Sequence, residues 1–139
     1  MEQLIVPGEL ASLKLIAEFV LAEASKAGLD KKAAYRLRLA IDEIATNIIL
    51  YGFQEARQAG ELQLFSTTDP SKLEIAIEDS AIPFDPITAR QVEATELALP
   101  LEERQMGGLG VYLAIQGVDQ FRYERVKDRN RNTFVMNLA

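Results

Sequence analysis

The stretch LRLAIDEIATNIILYGF, residues 37–53, decides the fold class, because it predicts a long helix with a polar pair on its flank. Glu43 and Asn47 lie one helical turn apart, beside the apolar stripe. Asn is a poor helix former, and a solvent-facing position would normally carry Lys, Gln or Glu. The pair is therefore either an ordinary polar edge or two oxygen-bearing side chains directed at a ligand. The stripe itself consists of Leu37, Ile41, Ile44 and Ile48.

The composition of the 139-residue chain limits its chemistry. The sequence has no Cys and no His, which excludes disulfides, thiolate metal sites and phosphohistidine chemistry on this chain. A net charge of −6 is unfavourable for binding nucleic acid, and no apolar run approaches the roughly 20 residues of a membrane span. The N-terminus does not resemble a secretion signal. We therefore expect a cytoplasmic protein that binds neither nucleic acid nor membrane.

The order of predicted elements indicates one domain, residues 1–139, with helices first and strands later. The first predicted helix, 9–27, ends at Gly28, and the second begins after Asp30 and stops at Gly52. A polar turn, 127–132, joins the last two strands. The fold class that follows is an α+β two-layer sandwich, with a mixed, mostly antiparallel sheet and about three helices on one face. The predicted strands are 3–6, 61–68, 72–79, 119–126 and 132–138.

A second candidate site residue ends the strand KLEIAIED. Asp79 follows an apolar strand face and enters the loop of EDSAIPFDP, 78–86. A carboxylate in this position can accept a hydrogen bond from an exocyclic amine such as N6 of adenine. The alternative is an Asx-type turn or a cap on the next segment.

A third candidate is the glycine-rich stretch RQMGGLGVYLA, 104–114, before a short predicted helix. Gly107, Gly108 and Gly110 allow backbone N–H groups to approach phosphate oxygens at the positive end of a helix. The stretch is neither a Walker sequence nor a dinucleotide fingerprint, and a flexible hinge is the alternative. The long segment 80–106 before it, with three prolines, predicts a functional lid or a disordered loop.

Four features follow one another along the chain: the helical Glu-x-x-x-Asn, the Asp-x-x-x-Pro-Phe-Asp-Pro loop, the long segment and Gly-Gly-x-Gly. In this order they resemble the GHKL ATPase superfamily with its Bergerat, or histidine-kinase-like, fold. Within it, PFDP and the short length resemble the bacterial anti-sigma-factor serine/threonine kinases. The resemblance implies that Glu43 is the catalytic base, that Asn47 is the Mg²⁺ ligand and that Asp79 reads the adenine amine.

The resemblance also implies roles for the glycine-rich stretch and for the last strand. Gly107, Gly108 and Gly110 would cradle the phosphates, and Arg104 would neutralise one of them. Thr133 would supply a hydroxyl that supports the adenine-binding acid.

One position departs from the family pattern. The family usually has Asp-x-Gly at the adenine loop, where this chain has Asp79-Ser80-Ala81. Alanine costs roughly 1 kcal/mol or more if φ is positive there, so Ala81 is expected to weaken adenine binding or reshape the loop.

The implied function is an ATP- and Mg²⁺-dependent serine/threonine protein kinase that acts as an anti-sigma factor or partner switch. Its implied partners are a STAS-type anti-anti-sigma protein and an RNA polymerase sigma factor, with a homodimer as the usual assembly. Two alternatives stay open: a nucleotide-responsive binding module without turnover, favoured by Ala81, and a detached histidine-kinase catalytic domain.

Overall fold

Five strands form one sheet in the computed structural model, which describes residues 1–86, 111 and 114–138. The strand order is β1-β2-β3-β5-β4, and all four neighbouring pairs are antiparallel. The sheet is thus antiparallel throughout these residues, where the sequence predicted a mixed, mostly antiparallel one. The strands are β1 (Glu2–Pro7), β2 (Glu61–Asp69), β3 (Lys72–Asp79), β4 (Gln120–Val126) and β5 (Arg129–Asn137).

Two α-helices follow β1, and local signals in the sequence fix their facing ends. Helix α1 (Leu13–Ala27), preceded by a 3₁₀ turn, ends at Gly28, whose φ of +88° is the left-handed conformation that glycine adopts without strain. Helix α2 (Lys31–Asn47) begins after Asp30, whose side chain accepts a 2.8 Å hydrogen bond from the Ala33 N–H. Both predicted caps are confirmed.

The predicted end of α2 at Gly52 is wrong, because the chain continues as a π-helical segment, Ile48–Gln54. The Glu55 N–H donates to the Leu50 carbonyl at 2.8 Å, which is the wider i→i+5 turn. Gly52 lies within this segment and packs closely against Ala81 of the neighbouring loop: a Cβ added to Gly52 would lie 2.8 Å from the Ala81 Cβ. The glycine therefore serves a close contact here and does not end the helical segment.

One apolar core lies between the helices and one face of the sheet, which confirms the predicted two-layer α+β class. The strands contribute alternate residues, because successive side chains of a strand point to opposite faces. Residues 111 and 114–116 are helical, where the third helix was predicted, and Val111 and Ala114 are buried in the same core. Among the described residues, none of the helices has the length and apolar character needed to cross a bilayer.

The β4–β5 hairpin is tighter than predicted. Arg129 already pairs with Val126, so the connection is Lys127-Asp128, with Lys127 at φ 57°. The sequence prediction took 127–132 as a polar turn, because two Arg-Asn pairs resemble loop composition. Asn130 and Asn132 instead lie on β5, and this correction changes the candidate site.

Candidate functional site

The inner face of the sheet changes from apolar to polar at one end of its two central strands. On β3 the buried side chains pass from Ile77 to Asp79. On β5 they pass from Phe134 to Asn132 and Asn130. Asn130 pairs directly with Asp79, and Asn132 pairs with Ile77, so the three polar side chains share the face that the helices cover. All three are buried, with exposed fractions of 0 to 3%.

A cleft lies between this polar end of the sheet, the end of α2 with its π-helical continuation, and the loop 80–86. Apolar side chains line most of it, as is usual for sites that hold a flat organic ligand. A few polar groups converge on it from the helix and from both strands. The residues that line it include Asn47, Tyr51, Gly52, Asp79, Ala81 and Asn132.

Asp79 has one satisfied and one unsatisfied carboxylate oxygen. Its Oδ1 accepts hydrogen bonds of 2.9 Å from the Ala81 N–H and from Asn130 Nδ2. Its Oδ2 is buried and has no hydrogen-bond partner within the described part of the chain. Burial raises the pKa of Asp79 above its ordinary value, and the bonds from Asn130 and Ala81 offset part of that rise. A buried acceptor of this kind fits a ligand that brings an N–H donor.

The loop after Asp79 is held by the β4–β5 hairpin. Asn130 Nδ2 also donates to the Ile82 carbonyl at 3.0 Å, and Arg125 Nη1 donates to the Ala81 carbonyl at 2.9 Å. The Tyr123 hydroxyl donates in turn to Asn130 Oδ1. These bonds fix the orientation of the Asp79 carboxylate before any ligand binds.

Ala81 fits the loop without backbone strain. Among the described non-glycine residues, only Arg57 and Lys127 have positive φ. The strain expected at Ala81 is therefore absent. Its side chain is 3% exposed and packs against Gly52 on the π-helical segment. The Ala81 methyl group thus faces a glycine on the neighbouring element.

Glu43 and Asn47 lie one turn apart on α2, as predicted, and their side chains interact. Asn47 is 7% exposed and lines the cleft, whereas Glu43 is half-buried. Burial raises the pKa of Glu43, and the hydrogen bond from Asn47 partly opposes this rise. Together these two side chains of α2 provide hard oxygen atoms, which Mg²⁺ prefers, at a distance from Asp79 at the end of β3. Among the described residues no group of three or more Asp or Glu is arranged to hold a metal ion.

Thr133 does not lie where the sequence prediction required it. It pairs with Ala76 on β3 and Arg122 on β4, on the outer face of the sheet. Asn130 makes the direct contact with Asp79 instead. The alternation of Asn130, Asn132, Phe134 and Met136 is the signal that identifies the inner face of β5.

Four predicted site residues lie outside the described residues: Arg104, Gly107, Gly108 and Gly110. Most of the predicted lid, 80–106, also lies outside them, and only 80–86 is described. Their roles in phosphate binding stay predictions. The described residues bring together Asn47, Asp79 and Ala81 in one cleft, with Glu43 beside Asn47.

Comparison with known proteins agrees with this geometry. The profile of the histidine kinase-like ATPase domain family matches residues 6–137, which is nearly the whole chain. The serine-protein kinase RsbW of Listeria innocua is 31% identical over 91 residues, covering 65% of this chain and 57% of the relative. RsbW of Bacillus thuringiensis is 26% identical over 109 residues, covering 78% and 67%. The chain thus spans little more than half the length of the Listeria relative.

A solved structure shows the same fold. The histidine kinase domain of the blue-light activated histidine kinase EL346 from Erythrobacter litoralis superposes with a TM-score of 0.55 at 21% identity. The superposition covers 92% of this chain and 60% of that one. At this identity the likeness concerns the fold alone.

Proposed function

The chain belongs to the histidine kinase-like ATPase (GHKL) family, and we propose that it is an ATP- and Mg²⁺-dependent protein kinase that phosphorylates serine or threonine. The single observation that carries the nucleotide part is Asp79 Oδ2, a buried carboxylate oxygen with no partner among the described residues. It lies in a mostly apolar cleft that suits a base, and Asn130 already holds its orientation. The serine-protein kinase relatives support the transfer part of the proposal.

The order of groups along α2 matches an extended nucleotide. A base would bind at the part of the cleft that Gly52 and Asp79 line, and Asn47 and Glu43 follow towards the start of α2. Gly52 follows Glu43 by nine residues, which corresponds to roughly 13 Å at the rise of an α-helix. A base bound at Asp79 would therefore direct its phosphates along the helix towards the two oxygen-bearing side chains.

Glu43 would act as the general base. It would take the proton of the attacking hydroxyl, while that oxygen bonds to the γ-phosphorus and the bond to the leaving ADP oxygen breaks. Asn47 would orient the Glu43 carboxylate through their hydrogen bond and offer its amide oxygen to the metal. Bound Mg²⁺ supplies charge stabilisation on the phosphates.

We further propose that the acceptor is a STAS-type anti-anti-sigma protein, and that the chain works as an anti-sigma factor and homodimer in the cytoplasm. These parts rest on the likeness to RsbW serine kinases, which this chain covers only in part. The missing histidines are consistent with an acceptor on another protein.

Transfer of labelled phosphate from ATP to a STAS-type protein tests the proposal. We expect acid-stable phosphate on a serine or threonine of that protein, dependent on Mg²⁺ and lost in Glu43→Gln. Acid-labile phosphate would instead indicate a histidine-kinase catalytic domain. Binding of ATP without any transfer would indicate a nucleotide-responsive binding module.

A further inference from the structure

The cleft contains a second buried oxygen that the proposed mechanism does not use. Asn132 is 2% exposed, and its Oδ1 has no hydrogen-bond partner in the described part of the chain. Asp79 Oδ2 is also buried without a hydrogen-bond partner among these residues, and both residues line the same cleft. A buried polar atom without a partner is costly, so two such acceptors that line one cleft point to a ligand with two donors.

The sheet register places the two acceptors within reach of one small group. Asp79 pairs with Asn130, and Asn132 is two residues farther along β5 on the same face. Asp79 and Asn132 are therefore diagonal neighbours, with Cβ atoms roughly 7 Å apart. Their side chains can converge on one nitrogen, because each carries its oxygen beyond Cβ.

We propose that Asn132 Oδ1 and Asp79 Oδ2 together accept both hydrogens of one exocyclic amine, so that Asn132 selects a 6-amino purine over a 6-oxo purine. This inference rests on the proposed nucleotide function and adds a specificity-determining residue to it. A 6-amino group has two N–H donors, one for each oxygen. A 6-oxo group would direct its own lone pairs at a carboxylate and an amide oxygen, which is repulsive.

Asn130 is the positioning residue of this pair. Its Nδ2 and the Ala81 N–H both bind Asp79 Oδ1, which leaves only Oδ2 for the ligand. The Tyr123 hydroxyl occupies Asn130 Oδ1, so the amide of Asn130 is held in the orientation that donates to Asp79. Asn132 is thus the acceptor that stays available beside Asp79.

The test compares ATP with inosine triphosphate, which differs at position 6 and at N1 of the base. Calorimetry on the whole chain should give at least tenfold tighter binding of ATP. Asn132→Leu removes the acceptor, and Asn132→Ser replaces it with a shorter hydroxyl that also donates. Both variants should reduce the ATP preference about tenfold, and the second remains informative if the first does not fold.

Asn137→Ala is the matched control, because Asn137 carries the same amide on the same strand but is exposed and outside the cleft. It should leave the ATP preference unchanged. If the native chain binds ATP but both Asn132 variants keep its preference, Asn132 is not a specificity residue and the proposed function stands. If the native chain prefers inosine triphosphate, the acceptor pair is refuted. If it binds neither, the proposed function fails together with the inference.

Discussion

Gly52 and Ala81 face each other so closely that a Cβ on Gly52 would lie 2.8 Å from the Ala81 methyl carbon. Real Cβ contacts essentially never approach that distance, so the two positions can carry only one methyl group between them. The family pattern has glycine at the loop position that Ala81 occupies. Here the glycine lies on the facing π-helical segment Ile48–Gln54, and the loop position carries the methyl group.

This contact predicts strong coupling between the two positions. Gly52→Ala should lower the free energy of unfolding by about 1–3 kcal/mol through overpacking. Ala81→Gly should cost about 1 kcal/mol, because it removes a buried methyl group and gains no relief of backbone strain. The stability loss of the double variant should be smaller than the sum of the two single losses by at least about 0.5 kcal/mol. Urea unfolding of all four proteins measures this, and simple additivity would show that the methyl groups do not compete.

Asp79→Asn should raise stability at neutral pH while weakening ATP binding. The pKa of Asp79 is raised in the folded state, so stability falls as pH rises from the unfolded value, about 3.9, through the folded value. The amide keeps an oxygen for Ala81 and Asn130 but has no buried charge. The thermal midpoint of the variant should therefore exceed that of the native chain at pH 7.

The stability gained by Asp79→Asn should shrink as pH falls through the raised pKa of Asp79, because the native carboxyl is then also neutral. ATP affinity should fall at neutral pH, because the amide oxygen of the variant is taken by Ala81 and Asn130 and its NH2 group, a donor, then faces the ligand amine. Asp128→Asn, at an exposed turn position, is the matched control and should leave the pH profile unchanged. A variant that is less stable than the native chain at pH 7 would mean that the Asp79 charge is compensated in the empty site.

The sequence predicts those features that local chemistry determines. Gly28 and Asp30 identify the helix ends because the cap lies within a few residues of what it caps. The strand 72–79 is predicted to the residue, because its alternation is strict. Asn47 and Asp79 line one cleft in the structure, and only the family resemblance predicts from the sequence that these two distant residues share a site.

Features set by register or tertiary packing were missed. The sequence predicts a turn at Asn130 and a site role for Thr133, because composition does not show where the pairing of β5 begins. A shift of one residue along a strand exchanges its two faces, and Thr133 lies on the outer face. The π-helical segment after Asn47 and its close contact with Ala81 at Gly52 are likewise features that helix signals in the sequence cannot reveal.

Glu43→Gln should reduce phosphoryl transfer by roughly 10² to 10⁴ while ATP binding stays nearly intact, because a general base acts on the chemical step. In the native chain the pKa of Glu43 is raised by burial, so the rate should fall with decreasing pH at a higher pH than for an exposed Glu. Single-turnover transfer at several pH values measures both effects. Glu55→Gln, at an exposed position, is the control. Native rates in Glu43→Gln would remove this residue from the mechanism.

Asn47→Ala should weaken binding of Mg-ATP more than binding of metal-free ATP, because the lost amide oxygen is proposed as a metal ligand. It should also raise the pKa of Glu43 further, since the hydrogen bond from Asn47 lowers that pKa in the native chain. The pH at which the transfer rate falls on acidification should therefore be higher in this variant than in the native chain. Asn47→Asp keeps an oxygen ligand and should retain the Mg²⁺ dependence, while its charge also raises the Glu43 pKa. Titration of ATP with and without Mg²⁺ separates these effects, and equal losses in both for Asn47→Ala would make Asn47 a structural residue only.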